Sequence, residues 1–116
     1  MQNPAEIHQE FVAAFNTANG ERLLALYDDD AMFAAEPGRW VRGKAAIREA
    51  MKPFLTSGLK MEIKTAFIME RDDLVMLSAE WRLTGGAEPV TGKSSEVAQR
   101  GADGSWRYIL DNPWSA

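Results

Sequence analysis

The chain has no cysteine among its 116 residues. That excludes disulfides, thiol nucleophiles and zinc–thiolate sites, and leaves the redox compartment open. It has one histidine, His8, among scattered acids, so no metal-ligand spacing is present and no metal is expected. There is no glycine-rich phosphate loop and no nucleophile elbow, and no cofactor is implied. Positive charge is in deficit: 13 Lys and Arg against 17 Asp and Glu leave −4, which argues against nucleic acid as a partner. No apolar run approaches the roughly 18 residues of a membrane span. The opening residues, MQNPAEIHQE, lack the basic and apolar regions of a signal peptide. The expectation is therefore a cytoplasmic protein with no membrane partner.

What is present suits one globular domain over residues 1–116, with hydrophobic residues at 46%, enough for a single core. No repeat, linker or low-complexity segment interrupts it. Asn3-Pro4-Ala5-Glu6 is a helix start: a capping side chain, a proline suited to the first turn, and an acid three residues after the cap. Ile7, Phe11, Ala14, Phe15 and Ala18 then share one face at helical spacing, and Asn19-Gly20 ends that helix. A second short helix carries Leu23, Leu24, Leu26 and Tyr27, and Asp28-Asp29-Asp30 stops it, since acids are unfavourable at a helix C-terminus. Ala31–Ala35 and Arg39–Val41 read as short strands around the turn Glu36-Pro37-Gly38. Gly43 precedes a third helix with Ile47, Ala50, Met51, Phe54 and Leu55 on one side, which Pro53 should end or kink.

From Leu59 the alternation changes to period two. Strands are expected over Leu59–Glu70 and Leu74–Thr84, then a terminal hairpin from Thr91 to Trp114 reversing at Gly101-Ala102-Asp103-Gly104-Ser105. In the strand from Leu74, the residues Val75, Leu77, Ala79, Trp81 and Leu83 form one face and should look inward. Strands joined by hairpins pair antiparallel, and helices gathered ahead of them must cover one face of that sheet. The fold class is α+β, a curved sheet wrapped around helices. Bulky residues lie on both faces of the long strands, Met76 against Leu77 and Tyr108 against Ile109. A face exposed to water should alternate with polar residues, so a homodimer through the outer face is expected.

Three runs carry a family resemblance: EFVAAFNTANGERLLALYDDDAMF, RGKAAIREAM and GKSSEVAQRGADGSWRYILDNPW. Their order and spacing resemble the nuclear transport factor 2-like superfamily, and within it the ketosteroid-isomerase-like and SnoaL-like small bacterial proteins. The resemblance covers nearly the whole chain. It implies a cone of three helices closed by a strongly bent mixed or antiparallel sheet, commonly a homodimer, with a pocket at the open end. Members include isomerases, polyketide cyclases, dehydratases, epoxide hydrolases and non-catalytic binding modules, so fold alone does not settle function. Steroid isomerisation needs a carboxylate to move a proton, with a tyrosine and a protonated aspartic acid as hydrogen-bond donors. By resemblance the tyrosine falls on Phe11, which cannot donate. The base falls on Ala35 or Glu36, the latter directly before Pro37, and the protonated acid falls near Glu96.

The candidate proton carriers are Glu36, Glu96 and Asp111, each with a plainer reading. Glu36 sits in a turn and suits solvent. Glu96 shares strand parity with Ser94 and Ala98: if Val97 faces the core, Glu96 lies outside, and in the register the resemblance implies it faces the cone. Asp111 shares parity with Arg107 and Ile109, opposite Trp106, Tyr108 and Leu110, and before Asn112-Pro113 it suits a turn-closing role. Phe11, Tyr27, Phe33, Trp40 and Trp81 are the candidate ligand-binding residues, or else core aromatics. His8, beside the apolar stripe of the first helix, is expected to be a partly exposed structural residue. A carboxyl among Phe11, Phe33, Trp40 and Trp81 would be desolvated and its pKa raised, which suits acid–base chemistry on a small hydrophobic molecule. The alternative is a dimeric ligand-binding or assembly module without turnover, toward which Phe11 leans.

Overall fold

The computed structural model describes residues 2–115. A 3₁₀ turn over Pro4–Glu6 leads into α1 (Ile7–Asn16), followed by α2 (Gly20–Leu24), β1 (Tyr27–Glu36), β2 (Arg39–Arg42), α3 (Lys44–Leu55), β3 (Lys60–Arg71), β4 (Leu74–Thr84), β5 (Val90–Arg100) and β6 (Trp106–Asn112). Asn3 caps as its side chain suggests, accepting from the Ala5 N–H at 3.0 Å. The first turn it caps is 3₁₀ rather than α.

Three boundaries differ from expectation. Helix α2 ends at Leu24, and Tyr27 opens a ten-residue strand that runs through the aspartates. Acids repelled from a helix end are tolerated on the solvated side of a strand, and Asp29 and Asp30 are exposed. Helix α3 continues two residues past Pro53. A proline in the last turn forfeits one hydrogen bond near an end that frays anyway.

The six strands form one curved mixed sheet in the order β2-β1-β6-β5-β4-β3. β3 to β6 pair antiparallel as a meander, and β1 closes onto β6 in parallel. Every second residue of β4 from Val75 to Leu83 is buried, and Val75, Leu77, Trp81 and Leu83 pack with Ile7, Phe11, Phe15, Leu23, Tyr27 and Ile47 in one core. Two slips in register shape the inner face of the sheet. Ala66 is an extra residue in β3, between Thr65 and Phe67. Ile109 is an extra residue in β6, because Tyr108 pairs with Ala98 while Leu110 pairs with the adjacent Val97. A bulge of one residue reverses the side-chain alternation beyond it.

The convex face carries an apolar stripe. Met69, Met76, Val97 and Leu110 are successive partners across four neighbouring strands, and Met69, Met76 and Leu110 are all exposed in the single chain.

Candidate functional site

A cavity of about 80 Å³ opens inside the cone. Four elements supply its principal side chains. On α1, His8, Phe11 and Phe15 recur at helical spacing and turn the same way. On β5, Ser94 and Glu96 face inward at period two. On β6, Tyr108 faces inward, and the extra residue Ile109 brings Asp111 back to the same side. Trp81 and Leu83 of β4 complete that wall. Met51, Phe54, Met61 and Ile63 from α3 and β3 make a purely apolar side.

The polar groups are connected. Glu96 and Asp111 are direct partners across β5 and β6, which puts their side chains side by side on the inner face. His8 Nε2 is bonded to Glu96 Oε1, and His8 Nδ1 lies 2.8 Å from Thr65 Oγ1. The imidazole is thus fixed at both nitrogens, and both His8 and Glu96 are only 4% exposed. The Tyr27 hydroxyl donates to Asp111 Oδ2 at 2.5 Å. Burial, reinforced by the neighbouring Glu96 charge and partly offset by Tyr27, pushes Asp111 up to about 8. A carboxyl in that position is mostly protonated at neutral pH. Burial also holds the hydroxyls of Tyr27 and Tyr108 well above the usual tyrosine range. Among the described residues no buried side-chain polar atom lacks a partner. The second oxygens of Glu96 and Asp111 accept no hydrogen bond there, so each opens onto the cavity.

The C-terminal turn closes the cavity. Trp81 Nε1–H donates to the Pro113 carbonyl at 2.7 Å, Trp114 Nε1–H donates to the Ala34 carbonyl at 3.1 Å, and the two indoles meet edge to face at 5.5 Å. Gly92, the cross-strand partner of Trp81, is required there: a Cβ on it would lie 2.4 Å from the indole ring.

The candidate residues therefore separate. Phe11, Phe33, Trp81, Glu96 and Asp111 line the cavity. Glu36 does not: its side chain is 67% exposed and pairs with Arg39 at the end of the β1–β2 hairpin. Trp40 does not either, being 58% exposed on the sheet's edge strand, where one neighbour is missing and nothing covers the ring. Tyr27 is fully buried behind the cavity wall and serves Asp111 instead of a ligand. His8, expected to be partly exposed, is buried and lines the cavity. Its spacing of three to Phe11 and seven to Phe15 is a signal the helical stripe already contained. Thr65, Ser94, Tyr108 and Trp114 were not singled out. Tyr108 had a readable signal, a hydroxyl on the same strand face as the inward Trp106. Among the described residues no three His, Asp or Glu side chains cluster to hold a metal ion, and no helix is long and apolar enough to cross a membrane.

Comparison with known proteins agrees with this architecture. The family model of the SnoaL-like domain matches residues 8–108. No functionally curated protein matches the sequence. Among solved structures, the chain is similar to a putative calcium/calmodulin-dependent protein kinase type II association domain from Thiobacillus denitrificans ATCC 25259, at 23% identity and TM-score 0.81, covering 99% of this chain and 98% of that one. It is similar to a nuclear transport factor 2-like protein of unknown function from Shewanella oneidensis MR-1, at 18% identity and TM-score 0.82, covering 93% of each. A putative scytalone dehydratase from Novosphingobium aromaticivorans DSM 12444 aligns at 14% identity and TM-score 0.79, covering 93% of this chain and 78% of that one. At these identities the likeness concerns the fold.

Proposed function

The chain belongs to the SnoaL-like family, and we propose that it is an acid–base enzyme acting on a small, largely apolar molecule by isomerisation, cyclisation or dehydration. The observation that carries this reading is the convergence of Glu96 and Asp111 on one wall of an otherwise apolar cavity. Two carboxyls whose surroundings differ can divide the roles of acid and base. Glu96, held by His8, takes a proton from a carbon beside a carbonyl group. Asp111, protonated at neutral pH, donates to the carbonyl oxygen as negative charge develops there. His8 and Thr65 act as positioning residues for Glu96. The fold shared with a putative scytalone dehydratase supports keeping dehydration in the set.

The test is deuterium exchange next to the carbonyl of small cyclic ketones, followed by NMR. The protein should accelerate exchange, and Glu96→Gln should remove about 10²-fold or more of that acceleration. A wild-type protein no faster than buffer across the panel overturns turnover on such compounds. It would return the cone to the second reading, a ligand-binding module, which Phe11 favours because its ring offers no donor. In either case the reading places a second copy of the chain on the stripe of Met69, Met76, Val97 and Leu110. A sedimentation mass of one chain at micromolar concentration would end that part.

A further inference from the structure

An oxygen that gains charge needs donors, and Phe11 supplies none. Tyr108 is 2% exposed and lines the cavity. Its hydroxyl makes no hydrogen bond with any described residue, and no buried side-chain polar atom is left unpartnered, so the hydroxyl opens into the cavity. The protein's other tyrosine, Tyr27, is committed to Asp111. Tyr108 stands on the same inner face as Asp111, and its strand partner Ala98 lies two residues from Glu96. The donor, the acid and the base thus share one wall.

The remaining lining restricts what can enter. Among the described residues no Lys or Arg borders the cavity, so an anion would meet two carboxyls with only His8, already bonded to Glu96, beside them, a costly burial. The side formed by Met51, Phe54, Met61 and Ile63 offers no polar partner. The volume of about 80 Å³ is below the roughly 150 Å³ of a cavity known to take one benzene ring. Even one ring would therefore press on the walls, and a fused polycycle would require them to move much further.

We propose that the Tyr108 hydroxyl is the donor that holds the substrate's oxygen, supplying from β6 what Phe11 cannot supply from α1. The substrate is accordingly a neutral molecule with one acceptor oxygen at the end of an apolar body no larger than about one ring. The assignment rests on the acid–base function proposed for Glu96 and Asp111. In the step it serves, the C–H bond beside the carbonyl breaks and its proton goes to Glu96. The electron pair moves onto the oxygen, where Tyr108 and Asp111 donate, and Glu96 then returns the proton to carbon. Burial and the charge of Glu96 keep the Tyr108 proton in place, so it is shared and not transferred.

The test is Tyr108→Phe, which removes the hydroxyl and keeps the ring. Ketone exchange should fall by about 10²–10³-fold, as for loss of one donor to a developing oxyanion. Phenol, a neutral one-ring probe, should bind about tenfold more weakly to the variant by NMR titration, and benzoate should bind neither form. Wild-type exchange and wild-type phenol affinity in Tyr108→Phe would overturn the assignment while leaving the acid–base reading intact. Phenol binding that depends on Tyr108 in a protein that exchanges no ketone would overturn turnover and uphold the donor. Benzoate or 2-naphthol binding as tightly as phenol would overturn the substrate class. If Tyr108→Phe fails to fold, fluorotyrosine at position 108 keeps the hydroxyl. Its fluorine resonance should shift when phenol binds, and an unmoved resonance overturns the proposal.

Discussion

Two hairpins of this molecule are built from similar parts and end differently. The β1–β2 hairpin carries Phe33, Glu36 and Trp40 around Pro37. The β5–β6 hairpin carries Glu96, Trp106 and Asp111 and runs on to Pro113 and Trp114. In the first, the acid and the tryptophan lie in solvent. In the second, both acids line a cavity. Composition does not distinguish them. Position does: Trp40 lies on β2, which has one neighbour, and Glu36 ends β1 at the exposed turn, whereas Glu96 and Asp111 lie within β5 and β6, each paired on both sides inside the cone. A carboxyl becomes chemically unusual where the surrounding elements remove water from it, and the turn at the end of a strand cannot do that.

The largest test of this contrast uses the tryptophans. Trp81→Ala should cost about 3–5 kcal/mol, as for other buried tryptophans, a large part of a domain's total stability of roughly 5–15 kcal/mol. Trp40→Ala should stay within about 0.5 kcal/mol. Denaturant midpoints for the two variants decide it, and equal losses would break the distinction between wall and rim.

The acids give a smaller and sharper test. Asp111 is pushed up to about 8 in the folded chain, against about 3.9 for an unperturbed aspartate. Between those pH values the folded chain keeps a proton that the unfolded chain has released. Stability from this group is therefore lost as pH rises through the window, in total on the order of a few kcal/mol, and is level on either side. Asp111→Asn cannot ionise and should flatten that slope. Glu36→Gln, at the exposed rim, should leave it unchanged. Unfolding midpoints from pH 4 to 9 would show an unaltered slope in Asp111→Asn if Asp111 were in water.

Much of the fold was legible because its signals are local. Alternation along β4 assigned the inward face from Val75 to Leu83, and the cap at Asn3 and the turn after Arg100 marked their boundaries. The site was legible only in part. Phe11, Phe33, Trp81, Glu96 and Asp111 were named, but the parity assigned to Asp111 was wrong, because period two was carried straight through Ile109. Glu36 and Trp40 were drawn in by their neighbours in sequence: the turn before Pro37 keeps Glu36 in solvent, and strand order, a non-local property, puts Trp40 on the edge. The pairing of His8 with Glu96 spans 88 residues and follows from no local rule.

The extra residue at Ile109 has a consequence for what keeps the two carboxyls together. Were Ile109 to pair with Val97 instead of standing extra, alternation along β6 would run unbroken, turning Leu110 toward the helices and Asp111 toward the convex face. The paired carboxyls would be lost without any substitution among them, in a chain whose sheet order need not alter. Between a cone equipped for proton transfer and one fit only to enclose an apolar guest, the distance here is a slip of one residue in the pairing of two strands.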